Sequence, residues 1–203
     1  MGQFVEMLKH DFSKSAAIYR STCEDFNNGP SCMRFAQHCL SGRGVPADPQ
    51  LAFQYNQKAC QLGEGESCLM AAMACTAIDS KKLRVETNYP MALDYMKQGC
   101  ALGNANSCYM AGGMYLTGVP GVIEKNTFLA YKHDVRACML GNGFACANLS
   151  GVFASIGADQ LWDNSSSSTT SAVNGMEWRG KQILAHSVIN QMIQQKSGLY
   201  SNV

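Results

Sequence analysis

The sequence predicts an all-α fold, a solenoid of antiparallel helical hairpins, each stapled by a disulfide. Three observations lead there. Cysteines recur in pairs at nearly fixed spacing, a small or apolar stripe at helical spacing precedes each pair, and a Leu-Gly step follows the first cysteine of three of them. Self-similarity at a fixed period marks a repeat architecture and outranks local propensity. The pairs are Cys23 with Cys32, Cys60 with Cys68, Cys100 with Cys108 and Cys138 with Cys146, and their first members lie 37, 40 and 38 residues apart. That period suits a two-helix unit.

The first helix of each unit runs up to the first cysteine. Eight residues before it stand Ser15, Ala52, Ala92 and Ala130; seven before, Ala16, Phe53, Leu93 and Tyr131; five before, Ile18, Tyr55, Tyr95 and His133. These positions share one helical face, and Pro90 suits the first turn of its helix. The segments Gln50 to Cys60, Pro90 to Cys100 and Thr127 to Cys138 therefore read as helices. Leu62-Gly63, Leu102-Gly103 and Leu140-Gly141 follow, and a helix stop needs a residue that tolerates positive φ.

The second helix begins at or near the second cysteine. Four residues beyond it lie Ala36, Ala72, Gly112 and Ser150, all small, which lets neighbouring helices approach closely. Seven beyond lie the larger Cys39, Cys75, Tyr115 and Phe153. Each cysteine pair thus spans the turn between two antiparallel helices, within the reach a disulfide needs. The hairpins cover about 13–45, 48–78, 90–118 and 126–157. Residues 158–174 are a Ser/Thr-rich insertion of flexible composition, and 175–197 form a C-terminal helix. Residues Thr76 to Tyr89 lengthen one connection.

Composition narrows the function classes. A chain of 203 residues supports one domain. Sixteen basic against 15 acidic residues, with no basic run, leave no electrostatic footprint for nucleic acid or an anionic membrane. No apolar stretch is long enough to insert into a membrane, and the start MGQFVEMLKHDF carries Glu6 and Asp11 where a signal peptide needs an apolar run. Ten cysteines at regular spacing nevertheless indicate a disulfide framework. Oxidised cysteines in a chain that reads as lacking a secretory signal pose a question of compartment.

The stretches YNQKACQLGEGESC, YMKQGCALGNANSC and KHDVRACMLGNGFAC resemble the cysteine-paired form of the Sel1-like repeat. Two groups share that form: secreted bacterial cysteine-rich proteins of the beta-lactamase-like family, and the mitochondrial cytochrome c oxidase assembly factor 7 family. YLTGVPGVIEKNTFLAYKHDVRACMLGNGFACANLSGVF is similar to the last cysteine-paired repeat of the second group. QFVEMLKHDFSKSAAIYRSTCEDFNNGPSC is similar to the junction of its first two pairs, and GMEWRGKQILAHSVINQMIQQK more loosely to its C-terminal helix. Against that family the chain reads as N-terminally short.

The resemblance implies a right-handed, TPR-related α/α superhelix. It also implies residence in the mitochondrial intermembrane space after import by the oxidative machinery, which would answer the question of compartment. The implied function is a scaffold for assembly of respiratory complex IV, with assembly intermediates or copper chaperones as partners. For the family a haem-binding role and disulfide reduction of copper chaperones are also proposed, so thiol-disulfide reductase is one alternative reading. A secreted bacterial-type repeat protein is the other.

Individual residues give little support to catalysis. Cys39 and Cys75 lie outside the pairs, and Tyr115 and Phe153 hold the same position later, which marks a packing site where a free thiol serves as a small hydrophobe. The histidines His10, His38, His133 and His186 sit in no ligand-spaced motif, and Leu69 and Met33, not histidines, follow paired cysteines. The expectation is therefore no metal and no cofactor, haem being favoured only by resemblance. Cysteine intervals of eight or nine are wider than the two to four of common zinc sites. No Ser-x-x-Lys or Gly-x-Ser-x-Gly supplies a nucleophile. Met70, Met73, Met110 and Met114 read as core filler. The sequence thus predicts a non-enzymatic protein that binds by shape.

Overall fold

A computed structural model describes residues 11–76 and 86–155, with Gly2, and the side chains of these residues up to Leu149. The insertion at 158–174, the helix at 175–197, His10, His186 and most of the Thr76–Tyr89 connection lie outside the described residues. The chain divides into two compact units, Met1–Cys146 and Ala147–Val203, and the following concerns the first.

Eight helices follow one another: α1 Phe12–Phe26, α2 Gly29–Ser41, α3 Pro49–Gln61, α4 Gly65–Ala74, α5 Tyr89–Ala101, α6 Ala105–Thr117, α7 Thr127–Met139 and α8 Gly143–Ser155. The last crosses into the second unit. Seven start on a side-chain cap. Asp11, Asn28, Asp48, Asn88, Asn104, Asn126 and Asn142 each accept a backbone N–H from the first turn at 2.8–3.1 Å. Such a cap satisfies a donor that the helix itself leaves unpaired. Glu64, at the start of α4, makes no such bond.

The second helices begin three residues before the second cysteine, so that cysteine closes the first turn. At three of them an Asn cap stands one residue before the start, Asn28 before Gly29, Asn104 before Ala105 and Asn142 before Gly143, while Glu64 holds that place before Gly65 without a cap bond. Gly63, Gly103 and Gly141 take φ of 97°, 87° and 97° and end the preceding helices. The first hairpin has no Leu-Gly step, and Asn27 fills the left-handed position at φ 48°.

Helices pack on their sequence neighbours within and between hairpins. In addition α3 packs on α5, α5 on α7 and α4 on α6, so first helices stack on first and second on second. That is the contact pattern of a solenoid. One joint recurs at every step: the N–H groups of Asp48, Asn88 and Asn126 donate to the carbonyls of Cys39, Cys75 and Tyr115, each at 2.8 Å. The residue that caps one hairpin thereby anchors itself to the end of the previous one. Between α6 and α7 a single bridge pairs Val119 with Ile123.

The stripe residues Ser15, Ala52, Ala92 and Ala130 are at most 2% exposed, as are Ala36 and Ala72 on the facing second helices. Small side chains at both positions bring the helices close. At Gly112, in the same register, an added Cβ would lie 2.7 Å from Asp134 Oδ1 and 3.2 Å from the Ala130 carbonyl. A side chain at this point of the α6–α7 interface would therefore require Asp134 to move.

Candidate functional site

The feature repeated in every hairpin is its stapled corner. Cys23–Cys32, Cys60–Cys68, Cys100–Cys108 and Cys138–Cys146 are joined as disulfides with Cα atoms 4.5–4.8 Å apart. A first-turn cysteine on the second helix meets a last-turn cysteine on the first, which places both Cβ atoms inside the hairpin.

The first three corners are each covered by the hairpin that follows. Two residues before the first cysteine stand Lys58, Gln98 and Arg136. Lys58 Nζ donates to the Cys23 carbonyl at 3.0 Å, and Arg136 Nη2 to the Ala101 carbonyl at 3.1 Å. Cations at these sites satisfy C-terminal carbonyls of the preceding first helix and complement its dipole. Gln98 Oε1 lies 3.2 Å from Cys60 Sγ. Sequence reasoning passed over this position, although the KAC, QGC and RAC triplets display it.

Cys39 and Cys75 are free and each 1% exposed. Burial first, then the nearby Asp48 carboxylate, pushes the Cys39 thiol up to about 11, while burial raises that of Cys75. A thiol held protonated is neither a nucleophile nor a metal ligand. Their carbonyls receive the next cap, so both are joint residues between hairpins.

The position five before the first cysteine carries the polar contacts between hairpins. Tyr55 packs edge-on against Phe35 at 4.6 Å, and its hydroxyl donates to Glu24, which also pairs with Arg20 at 3.0 Å. The hydrogen bond from Tyr55, with that from Arg20, holds the Glu24 carboxyl below its ordinary range. Burial, then Glu24, pushes Tyr55 up to about 12. This tyrosine–carboxylate contact, 31 residues apart in sequence, left no local signal. The Tyr95 hydroxyl accepts from Gln57 Nε2 at 2.7 Å.

His133 stacks on Tyr115 at 5.6 Å and 18°, with Nδ1 3.7 Å from Cys100 Sγ. Burial, with Lys132, Lys97 and Arg136 nearby, holds its imidazole below the ordinary value. His38 is 4% exposed beside Tyr19 and Phe12, with Nδ1 2.7 Å from the Arg43 carbonyl. The described residues contain no group of three His, Cys, Asp or Glu side chains able to hold a metal. No described helix is long and apolar enough to cross a membrane. Met110 and Met114 pack against the Leu93 and Met96 cluster.

At the outer edge of the corners Leu62, Leu102 and Leu140 are 38–45% exposed. Side chains at Gly29 and Gly65 would meet Leu62 and Glu64, and Leu102 and Asn104, respectively. The turns of the second and third hairpins thus rest on the glycines that open α2 and α4, and Leu62, Leu102 and Leu140 form an apolar edge along the last three hairpins. What the described arrangement offers is a repeated surface for contact with protein.

Stacked hairpins, each stapled at its turn, define a cysteine-paired Sel1-repeat solenoid. The Sel1 repeat family matches residues 30–64, 82–104 and 105–142. Among solved structures the chain is similar to c5321, a protective antigen of uropathogenic Escherichia coli displaying an SLR fold. The TM-score is 0.65 at 18% identity, covering 77% of this chain and 33% of that one. Helicobacter pylori cysteine rich protein B is similar at TM-score 0.51 and 28% identity, covering 69% and 96%.

Curated relatives are more specific. The cytochrome c oxidase assembly factor 7 homolog of Drosophila melanogaster is 30% identical over 187 aligned positions, spanning 76% of this chain and 70% of that protein. Cytochrome c oxidase assembly factor 7 of Xenopus tropicalis is 29% identical, spanning 75% and 67%. The chain belongs to the cytochrome c oxidase assembly factor 7 family.

Proposed function

We propose that this chain is a non-enzymatic scaffold for assembly of mitochondrial respiratory complex IV, working in the intermembrane space. The observation that carries the reading is its kinship with assembly factors named for cytochrome c oxidase, at 30% identity over most of the Drosophila protein. The stapled repeat supports the compartment, because disulfides persist where the environment is oxidising. Burial of both free thiols and the absence, among the described residues, of a metal cluster support binding over turnover. Stacked hairpins bind through extended side-chain surfaces, so the partners are proteins, either assembly intermediates or copper chaperones. On this reading the chain enters through the oxidative import machinery, inserts into no membrane, takes no nucleic acid and works without a bound cofactor.

Affinity purification of the tagged chain from mitochondria tests the reading. Recovery of complex IV subunits or copper chaperones is expected, and recovery of secretory-pathway proteins in their place overturns it. Protection from protease in intact mitochondria, lost on rupture of the outer membrane, is expected for the compartment. Steady turnover of copper-chaperone or insulin disulfides would refute the non-enzymatic part. A Soret band after incubation with haem would refute the cofactor-free part.

A further inference from the structure

We infer that the edge formed by the corners of the first three hairpins is a docking site for an amphipathic helix of a partner protein, with apolar residues seven apart and lysine or arginine at one end. The inference rests on the reading of this chain as a protein-binding scaffold and names the kind of segment it takes. The edge is continuous. A Cβ at Gly29 would lie 3.3 Å from Leu62 Cβ and 3.0 Å from Glu64 Cγ, and one at Gly65 would lie 3.4 Å from Leu102 Cβ and 3.1 Å from Asn104 Cβ. Because Gly29 opens α2 and Gly65 opens α4, each of these turns touches the hairpin before it. Asp25 stands two residues beyond Cys23, the register that Leu62 and Leu102 hold beyond Cys60 and Cys100, and Phe26 follows it. Along this line Phe26, Leu62 and Leu102 are 77%, 38% and 45% exposed. Single exposed leucines are ordinary, whereas a row of apolar side chains with a charged border marks a contact surface. The border is acidic at one end. Asp25 and Glu66 are exposed and Glu64 is half-buried. The ion pairs among the described residues are Arg20–Glu24 and Lys97–Asp94, so none of these three carboxylates is in one. Asn104 and Asn106 take the registers of Glu64 and Glu66 at the third corner, and the edge therefore runs from acidic to neutral.

This pattern selects its occupant. Packed helices stand about 8–10 Å apart and seven residues of an α-helix advance about 10.5 Å, so apolar residues seven apart meet the leucines of successive corners. An extended segment would need a sheet edge for its backbone, and these corners consist of helix ends and tight turns. Anionic lipid and nucleic acid are repelled by the three carboxylates. A second copy laid antiparallel would set those carboxylates against Asn104 and Asn106, which carry no charge to pair with them. A partner helix with cations over the first two corners meets both requirements: its apolar face covers Leu62 and Leu102, and its charges fix which way it lies.

The test uses the full native chain and a fluorescent alanine-based helix carrying leucines seven residues apart, with lysines around the first of them, followed by anisotropy. A second peptide has glutamate in place of lysine, and a third has serine in place of leucine. The chain carries a net charge of +1, so attraction to the molecule as a whole does not favour the lysine peptide. That peptide is expected to bind at least about tenfold more tightly than either of the others, and to weaken as salt rises. In the triple variant Asp25→Lys, Glu64→Lys, Glu66→Lys the preference is expected to reverse toward the glutamate peptide. Replacing Leu62→Ser and Leu102→Ser together is expected to weaken the lysine peptide at least about tenfold. No binding, equal binding of the lysine and glutamate peptides, or binding unaltered in these variants overturns the inference. So does self-association of the chain that the leucine replacements abolish. If the variants do not fold, the three peptides on the unaltered chain decide alone. Failure here leaves recovery of complex IV subunits from mitochondria untouched, so the two readings fail separately.

Discussion

Complete reduction of the four disulfides should remove most of the stability of this fold. Their sequence separations are 9, 8, 8 and 8, so each closes a loop of nine or ten residues. The chain-entropy relation assigns about 2.6 kcal/mol to a loop of that size, and four together on the order of 10 kcal/mol. Whole domains are stable by roughly 5–15 kcal/mol, so the staples rival the total.

The structure also says why the measured loss should be somewhat smaller. Each turn keeps backbone bonds of its own; in the second hairpin Gly63 N donates to Cys60 O and Glu64 N to Ala59 O, both at 3.0 Å. These bonds bias the reduced chain toward the turn and lessen the entropy the staple removes. Urea unfolding followed by far-ultraviolet circular dichroism, with and without a phosphine reductant, measures the difference. A loss of at least about 5 kcal/mol is expected. A total loss under about 2 kcal/mol, with thiol counting to prove reduction, would refute the view that these corners hold the repeats together.

Four further outcomes follow from particular residues. Replacing Glu64 with Asn should stabilise the fold by roughly 0.5–1 kcal/mol, because Glu64 already has the φ/ψ of the capping residues Asn28 and Asn104 but makes no cap bond; an unchanged urea midpoint would count against the capping account. In an alkaline absorbance titration one tyrosine should ionise at about 12 and be missing from Tyr55→Phe. The raised value means the folded state holds the proton more tightly, so this contribution is complete below pH of about 10 and is lost as pH rises toward 12. Conversely, the depressed Glu24 carboxyl contributes stability above the ordinary carboxylate range that disappears as pH falls through its folded value, and Tyr55→Phe should shrink that acid dependence. Cys39 and Cys75 should resist iodoacetamide in the native chain at pH 8 and react at once in urea; rapid native labelling would contradict their burial.

Much of the fold was legible in the residues because a solenoid is built from local rules. The cysteine period, the small stripe at Ala52, Ala92 and Ala130 and the Leu-Gly stops mark out the hairpins, since helix, turn and staple all lie within about 40 residues. The exact start of the second helices was less visible. It depends on Asn28, Asn104 and Asn142 as caps, residues that also read as ordinary loop.

Candidate chemistry behaved differently. Sequence alone placed Cys39 and Cys75 in equivalent register, but only packing shows that the carbonyl of each, near the end of its second helix, accepts the N–H of the next cap. The link from Tyr55 to Glu24 and the reach of Lys58 and Arg136 onto the preceding hairpin cross 31 to 35 residues. The four cysteine pairs are nearly identical as sequence. What lies against the first three differs, Lys58, Gln98 or His133, because it is set by the hairpin stacked on each corner, and stacking is a relation between units that no single repeat contains.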